Sequence, residues 1–110
     1  MTIAETVAAL ALTVAHDAGG ERLVTGAMVT DLLSEVLASG SPGQVWITIQ
    51  THRNVVAVAS TQDLAAVIIA GGRQPQADVI ALAREQAVTL LTSDQSAYTV
   101  AGALYALGVQ

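Results

Sequence analysis

The fold of this chain is decided by residues 67–94, VIIAGGRQPQADVIALAREQAVTLLTSD. The run at 67–69 is short, apolar and β-branched, which is typical of a strand that is covered on both faces in a parallel sheet. Two glycines at 71–72 end that strand, and Pro75 presets the first turn of a helix. Residues 88–91 supply the next buried strand. The stretch therefore predicts one β-α-β unit whose helix begins at Pro75.

The helix of that unit has one apolar side. The apolar residues that fall within an arc of roughly 100° are Val79, Ile80, Ala83 and Ala87. Asp78 and Glu85 lie on the opposite side, so the helix is expected to cover one face of the sheet. After the second strand, Thr92, Ser93 and Asp94 are suited to capping another helix.

Composition limits the class of protein. A chain of 110 residues is expected to form a single domain, residues 1–110, and can bury a core without disulfides or metal. It has no cysteine, which excludes disulfide scaffolds, zinc ribbons and thiol catalysis. Although 53% of residues are hydrophobic, no run reaches the roughly 18 apolar residues that a spanning helix needs. The N-terminus lacks the positive charge of a secretion signal. A cytoplasmic protein without a membrane segment is expected.

The charge is acidic. The chain has nine acidic side chains, four arginines and no lysine, which gives a formal net charge of −5. Such a surface repels phosphate backbones, so the sequence argues against nucleic-acid binding. Only 12% of residues are charged, so part of the apolar exterior is expected to be buried against a partner.

The N-terminal part predicts a helix and two strands. Thr2 and Glu5 form a T-x-x-E capping box, which predicts a short helix over residues 3–10. Strands are expected at 12–14 and 22–27. The turn between them makes a hairpin the economical way to join them.

The middle of the chain contains one ambiguous segment. A helix is expected over residues 32–37, with Thr30 or Asp31 as its cap, and a strand over 45–49. The valines of residues 54–60 favour a strand, but a parallel sheet needs a crossover between 45–49 and the strand at 67–69. We therefore interpret 54–60 as a helix.

The last helix is expected over residues 95–107, with Gly108 just past its end. Together these elements predict an α/β fold. It should have three layers, α/β/α, with a mostly parallel sheet, a short N-terminal helix and a hairpin.

Four strings and their spacing resemble the DRTGG domain family. They are LVTGAMVTDLLSEVL (23–37), GQVWITIQTHRNVVAVAS (43–60), VIIAGGRQP (67–75) and LLTSDQSAYTVAGALYALG (90–108). The family occurs in some phosphate acetyltransferases and in pyrophosphatases that carry CBS regulatory domains. Its fold is related to the N-terminal domain of HPr kinase. The resemblance covers about residues 2 to 108, although the letters DRTGG do not occur here as a contiguous string.

The resemblance implies a regulatory or dimer-forming role without catalytic activity. Kinase activity is not implied, because the chain has no G-x-x-x-x-G-K-[ST] phosphate loop and no lysine to complete one. Some standalone relatives are encoded beside iron hydrogenase or electron-bifurcating subunits, which implies a possible larger enzyme partner.

A ligand site is predicted where the strands end. In an open parallel sheet, ligands bind outside the carboxyl ends of the strands, where loops and helix N-termini meet. Helix N-termini favour anions, so a phosphate or nucleotide is the expected ligand. The residues assigned to this site are Thr25, Gly26, Thr51, Arg53, Asn54, Gly71, Gly72, Arg73, Ser93 and Asp94.

The same residues also suit a purely structural role. Small and polar residues at strand-to-helix turns satisfy backbone conformation and cap helices. Arg53 and Arg73 fit an ion pair or a solvated loop as well as an anion contact. Asp31 and Asp94 are interpreted as caps. Neither a metal site nor a cofactor is expected, because His16 and His52 lack metal-ligand spacing and the glycine pair is not a dinucleotide fingerprint.

The last helix carries a candidate interface. Tyr98 and Tyr105 are seven residues apart with Gly102 between them. They could pack in the core, or they could form a contact between helices of two copies.

Two functions fit these features of the sequence. The first is a non-catalytic regulatory domain that forms a homodimer and binds a small anionic ligand. The alternative is an accessory subunit that docks on a larger redox or metabolic enzyme, such as an iron hydrogenase system. An enzyme is the least favoured class, because no paired nucleophile and base is present.

Overall fold

The computed structural model describes all residues, 1–110, as one five-stranded sheet with helices on both faces. The strands are β1 (Thr13–His16), β2 (Gly26–Val29), β3 (Gln44–Thr48), β4 (Ala66–Ile69) and β5 (Leu90–Thr92). Their order across the sheet is β1-β5-β4-β3-β2. Strands β2 to β5 are parallel, and β1 is antiparallel to β5. The predicted α/β fold with a mostly parallel sheet is confirmed.

Five helices form the outer layers. They are α1 (Ile3–Leu10), α2 (Leu33–Ser39), α3 (Arg53–Thr61), α4 (Ala77–Gln86) and α5 (Ala97–Ala106). Helices α1 and α5 cover one face, where Ile47 and Ile68 of the sheet meet Leu104. Helices α2, α3 and α4 cover the other, where Trp46 and Ile69 are fully buried. Strands β3 and β4 are therefore buried on both faces, as their continuous apolar runs predict.

Helix α1 has the bounds that its capping box predicts. The Thr2 hydroxyl accepts from the Glu5 N–H at 3.1 Å, and the Glu5 carboxylate accepts from the Thr2 N–H at 3.0 Å. The hydrogen bonds from the Thr2 backbone and hydroxyl hold the pKa of Glu5 below its ordinary value, because they favour the charged carboxylate.

The ambiguous segment is a helix. Residues 53–61 form α3 and bury Val55, Val56 and Ala59 against the sheet. The need for a crossover between two parallel strands therefore outweighs the strand propensity of the valines. The N-cap is His52, whose side chain accepts from the Asn54 N–H at 3.1 Å.

The expected hairpin is wrong, because β1 and β2 lie at opposite edges of the sheet. Leu23 is bridged to Thr2 and the Val24 N–H donates to the Met1 carbonyl, so this segment is held by the start of α1 and not by β1. Gly26 begins β2, whereas the strand predicted over residues 22–27 would end beside it. Strand β2 pairs with β3, which follows it in the sequence, and not with β1.

The starts of α2, α4 and α5 differ from those predicted. The N-cap of α2 is Leu32, and neither Thr30 nor Asp31. Helix α4 has Gln76 as its N-cap, so Pro75 precedes the helix and does not begin it. Ala87 is exposed and left-handed at the C-cap, and so is not part of the buried side. Helix α5 is capped by Ser96. No helix in the structure combines the length and apolar character needed to span a membrane.

Candidate functional site

The loops that follow β3, β4 and β5 lie side by side at the carboxyl ends of the strands. The Ala70 N–H donates to the Thr48 carbonyl at 2.9 Å, and the Gly72 N–H donates to the Ser93 carbonyl at 2.9 Å. The Gly71 N–H donates to the Gln95 carbonyl at 2.7 Å. We call this region the strand-end rim: residues 30–31, 49–54, 70–73 and 93–95.

The glycine pair shapes the rim without binding through its backbone. Gly71 and Gly72 have φ of +78° and +73°, a conformation that side chains other than glycine rarely adopt. Their N–H groups already donate to the carbonyls of Gln95 and Ser93. The pair therefore fixes the path of the loop between β4 and α4, and its N–H groups are not free to hold a phosphate.

Two arginines on the rim lack a carboxylate partner. Arg53 and Arg73 are exposed, and the ion pair that the chain forms is Arg22–Asp63, at 2.9 Å. Neither rim arginine forms an ion pair within the chain. Their guanidinium groups face solvent and keep all their donors available.

The other predicted site residues on the rim differ in their availability. Thr51 is half-buried and Asn54 is exposed in the first turn of α3. Ser93 is buried, and its hydroxyl accepts from the Gln95 N–H at 3.1 Å. Asp94 is exposed and does not cap α5, because Ser96 does. The interpretation of Asp94 as a cap is wrong.

Thr25 and Gly26 are not on the rim. They lie at the beginning of β2, which is at the opposite end of the parallel strands from the rim. The Thr25 hydroxyl donates to the Pro42 carbonyl at 3.0 Å, and a Cβ on Gly26 would lie 3.5 Å from Gln110. The structure therefore does not bring these two residues to the rim, because β2 begins at Gly26 and does not end there.

Asp31 takes the place on the rim that was expected for residues 25–26. One of its carboxylate oxygens, Oδ1, accepts from the Thr48 hydroxyl at 2.7 Å and from the Ile49 N–H at 3.0 Å. Its carbonyl accepts from the Gln50 side chain. Asp31 therefore joins the end of β2 to the end of β3 and is not a helix cap. The correct register of β2 against β3 is the signal that would have found it.

The concave parts of the surface lie away from the rim. The larger cavity, of about 180 Å³, lies between α1 and strands β1 and β5, with Val7, Val14 and Leu91 in its lining. The smaller cavity, of about 130 Å³, lies by the beginnings of β4 and β5 and is lined partly by Arg22. Neither cavity is lined by a rim residue, so a ligand on the rim would be held by side chains at the surface.

The tyrosines of α5 are on the surface. Tyr98 is 89% exposed and Tyr105 is 65% exposed, whereas the core side of α5 is formed by Val100 and Leu104. Core packing is therefore wrong for both tyrosines. A Cβ on Gly102 would have no neighbour within 4 Å, so no contact within the chain requires glycine there.

Comparison with known proteins gives a family and a fold. The family model of the DRTGG domain matches residues 2–107. The chain is similar in structure to the CBS and DRTGG domains of the regulatory region of Clostridium perfringens pyrophosphatase, solved in complex with its activator diadenosine tetraphosphate. The TM-score is 0.74 at 15% identity. The match covers 94% of this chain but only 45% of the other. Comparison with curated proteins gives no match.

Proposed function

This chain belongs to the DRTGG domain family, and from that premise we propose that it is a non-catalytic regulatory domain that binds a small anionic ligand on the strand-end rim and forms a homodimer. The observation that carries the ligand part is the pair of exposed arginines, Arg53 and Arg73, on one edge without a carboxylate partner. Two cations without a partner attract an anion to the rim, against the repulsion of the Asp31 and Asp94 carboxylates on the same rim.

The helices add to the attraction of an anion. Helices α3 and α4 begin at the rim, and their N-termini carry partial positive charge. The first turn of α4 has no side-chain cap, and its Val79 N–H donates to the Gln76 carbonyl, so only the N–H groups of Ala77 and Asp78 remain available. The carboxylate of Asp78 offsets part of the attraction. The related pyrophosphatase region binds a nucleotide activator. A nucleotide or other phosphate ester is therefore the class of ligand we propose.

A regulatory role without catalysis fits the chemistry of the rim. The Thr48 hydroxyl donates to the Asp31 carboxylate, but Thr48 is buried and a substrate would not reach it. The Ser93 hydroxyl has a backbone N–H as its neighbour and no base. The rim therefore offers binding groups without an activated nucleophile.

Thermal unfolding with a panel of nucleotides at millimolar concentration tests the ligand part. Binding raises the melting temperature, and Arg53→Ala and Arg73→Ala should each abolish most of the shift. Arg84→Ala is the matched control, because Arg84 is exposed at the far end of α4 and its loss changes the net charge equally. A panel without any shift, or an equal loss in all three variants, contradicts the rim as a ligand site.

The dimer part is supported by the exposed side of α5. Tyr98 and Tyr105 present two large aromatic side chains to solvent beside Gly102, and aromatic residues are enriched in protein interfaces. Tyr98→Ala and Tyr105→Ala should each weaken a dimer measured by analytical ultracentrifugation. Unchanged association in both variants contradicts this interface.

The alternative, an accessory subunit, is favoured by the same tyrosines together with Leu107, which is 46% exposed. In that case a larger redox or metabolic enzyme covers the surface. Native purification should then give a complex of fixed stoichiometry that Tyr105→Ala weakens. A purified homodimer without another subunit contradicts this alternative.

A further inference from the structure

The two edges of the sheet differ in how they are protected from pairing with another strand. Strand β1 is interrupted by a bulge between Val14 and His16 and is followed by Asp17. Bulges and charges are the usual means by which a free edge is protected. Strand β2 pairs regularly with β3, and residues 23–30 contain neither a charged residue nor a proline. The β2 edge is therefore open to a further strand.

Helix α5 presents its tyrosines toward this same edge. The three crossovers that join β2 to β5 all place their helices on the face opposite α5. Because such crossovers are right-handed, the position of β2 relative to α5 is fixed. Helix α5 runs antiparallel to the strands and packs on β2 and β3. Tyr98 and Tyr105 lie roughly 100° around the helix axis from its core-facing side. In a right-handed helix that runs in this direction, they point outward past β2.

The charge distribution singles out the same surface. The chain has a net charge of −5, so two copies repel each other unless they meet where acidic side chains are absent. Residues 95–110 contain no charged side chain, and neither do residues 23–30. We define the β2-edge face as Val29, Tyr98, Gly102 and Tyr105.

Gly102 is a separate observation that points to a neighbour. It lies in the middle of α5, where glycine is among the least favoured residues. Apart from its chain neighbours and the backbone of its own helix, no atom lies within 4 Å of the position of its missing Cβ. The space that glycine leaves is therefore not used inside the molecule, but it lets another helix come close.

We propose that two copies of this chain associate through the β2-edge face, with their β2 strands paired antiparallel about a twofold axis so that the two sheets become one of ten strands. This inference rests on the dimer part of the proposed function and adds the geometry of the contact. The occupant of the face is a second copy, because the same uncharged strand edge and the same helix side then meet on both partners.

Strand and helix spacing agree in this arrangement. Paired strands lie about 4.8 Å apart, and a helix centred between β2 and β3 lies about half that distance inside β2. The twofold axis then sets the two α5 axes about 10 Å apart, which is within the usual distance between packed helices. Tyr98 of each copy comes to lie beside Tyr105 of the other, with the two glycines between them.

A matched pair of lysine variants tests the geometry. Val29 on β2 and Val14 on β1 are similarly exposed, at 49% and 46%. In sedimentation velocity, Val29→Lys should raise the dimer dissociation constant at least about tenfold, because a desolvated lysine on a strand edge opposes pairing. Val14→Lys should leave it unchanged. A dimer that Val29→Lys does not weaken, or that both variants weaken equally, overturns the β2 pairing while dimerisation itself stands.

Cross-linking decides the case even if Val29→Lys folds poorly. Since the chain has no cysteine, Val29→Cys and Val14→Cys each introduce a single thiol. Antiparallel pairing of β2 brings the two copies of residue 29 within about 15 Å, so a short bis-maleimide should link Val29→Cys and not Val14→Cys. The reverse pattern overturns the inference. A wild-type chain that stays monomeric at about 100 µM overturns both the pairing and the dimer, whereas the nucleotide screen reports separately on the rim.

Discussion

Replacing Asp31 by alanine should destabilise the fold by about 2 kcal/mol. The carboxylate accepts from the Thr48 hydroxyl and from the Ile49 N–H, at 2.7 and 3.0 Å. Thr48 is 1% exposed, so its hydroxyl cannot turn to water when the carboxylate is removed. A buried donor left without a partner costs about 1–3 kcal/mol. The Ile49 N–H is nearer the surface and can be hydrated, so it adds little.

Urea unfolding followed by tryptophan fluorescence measures the change, since Trp46 is fully buried beside this junction. Asp94→Ala is the control for charge, because Asp94 is an exposed acid on the same rim. Asp31→Asn keeps an acceptor oxygen and should lose less stability than Asp31→Ala. If Asp31→Ala and Asp94→Ala unfold within about 0.5 kcal/mol of each other, then the reasoning from the buried hydroxyl is refuted.

Three further substitutions test the fold. The pKa of Glu5 is lowered in the folded chain, so its carboxylate stabilises the fold above the ordinary pKa of 4.5. In urea titrations, the stability difference between wild type and Glu5→Gln should therefore vanish as the pH falls through the lowered pKa of the folded chain. Gly43→Ala should lower stability by more than about 2 kcal/mol, because φ is +85° and its Cβ would lie 2.6 Å from the Thr25 hydroxyl; a neutral urea midpoint would contradict this. Trp46→Phe should lower the thermal midpoint, because it removes the 2.8 Å bond to the Thr30 carbonyl and leaves a cavity.

The parallel part of the sheet could be predicted because its signals are local. The run at 67–69 is apolar on both faces, and glycines and a helix period follow it directly. Residues 54–60 required one long-range argument, the need for a crossover, and that argument is available from strand directions alone. Strand β2 has no such signal. Its apolar residues extend on both sides of Gly26, so the sequence does not say where pairing begins, and only the contact with Val45 and Trp46 sets its register.

The error in β2 explains the errors in the site. Ending the strand at residue 27 placed Thr25 and Gly26 on the rim and left Asp31 to be interpreted as a cap. The observed strand ends at Val29, so the next two residues reach the rim. For Tyr98 and Tyr105 the limitation differs. The helical period separates the buried Val100 and Leu104 from the two tyrosines. It places the tyrosines beside the core-facing side, where the sequence does not decide between the core and an interface.

The end of β2 and the residues just after it belong to both proposed surfaces, and this bears on how a regulatory domain of this size can work. Val29 lies on the β2 edge, while Asp31 is bonded to Thr48 and Ile49 at the rim. A ligand that binds the dimer and the monomer with different affinities shifts the dimerisation equilibrium. Dimerisation changes the affinity for the ligand by the same factor. A ligand that binds both forms equally shifts nothing, however tightly it binds. In the proposed dimer, a ligand at Arg53 is coupled to dimerisation when pairing of β2 moves Asp31. Asp31 would then move the end of β3, which leads to Arg53.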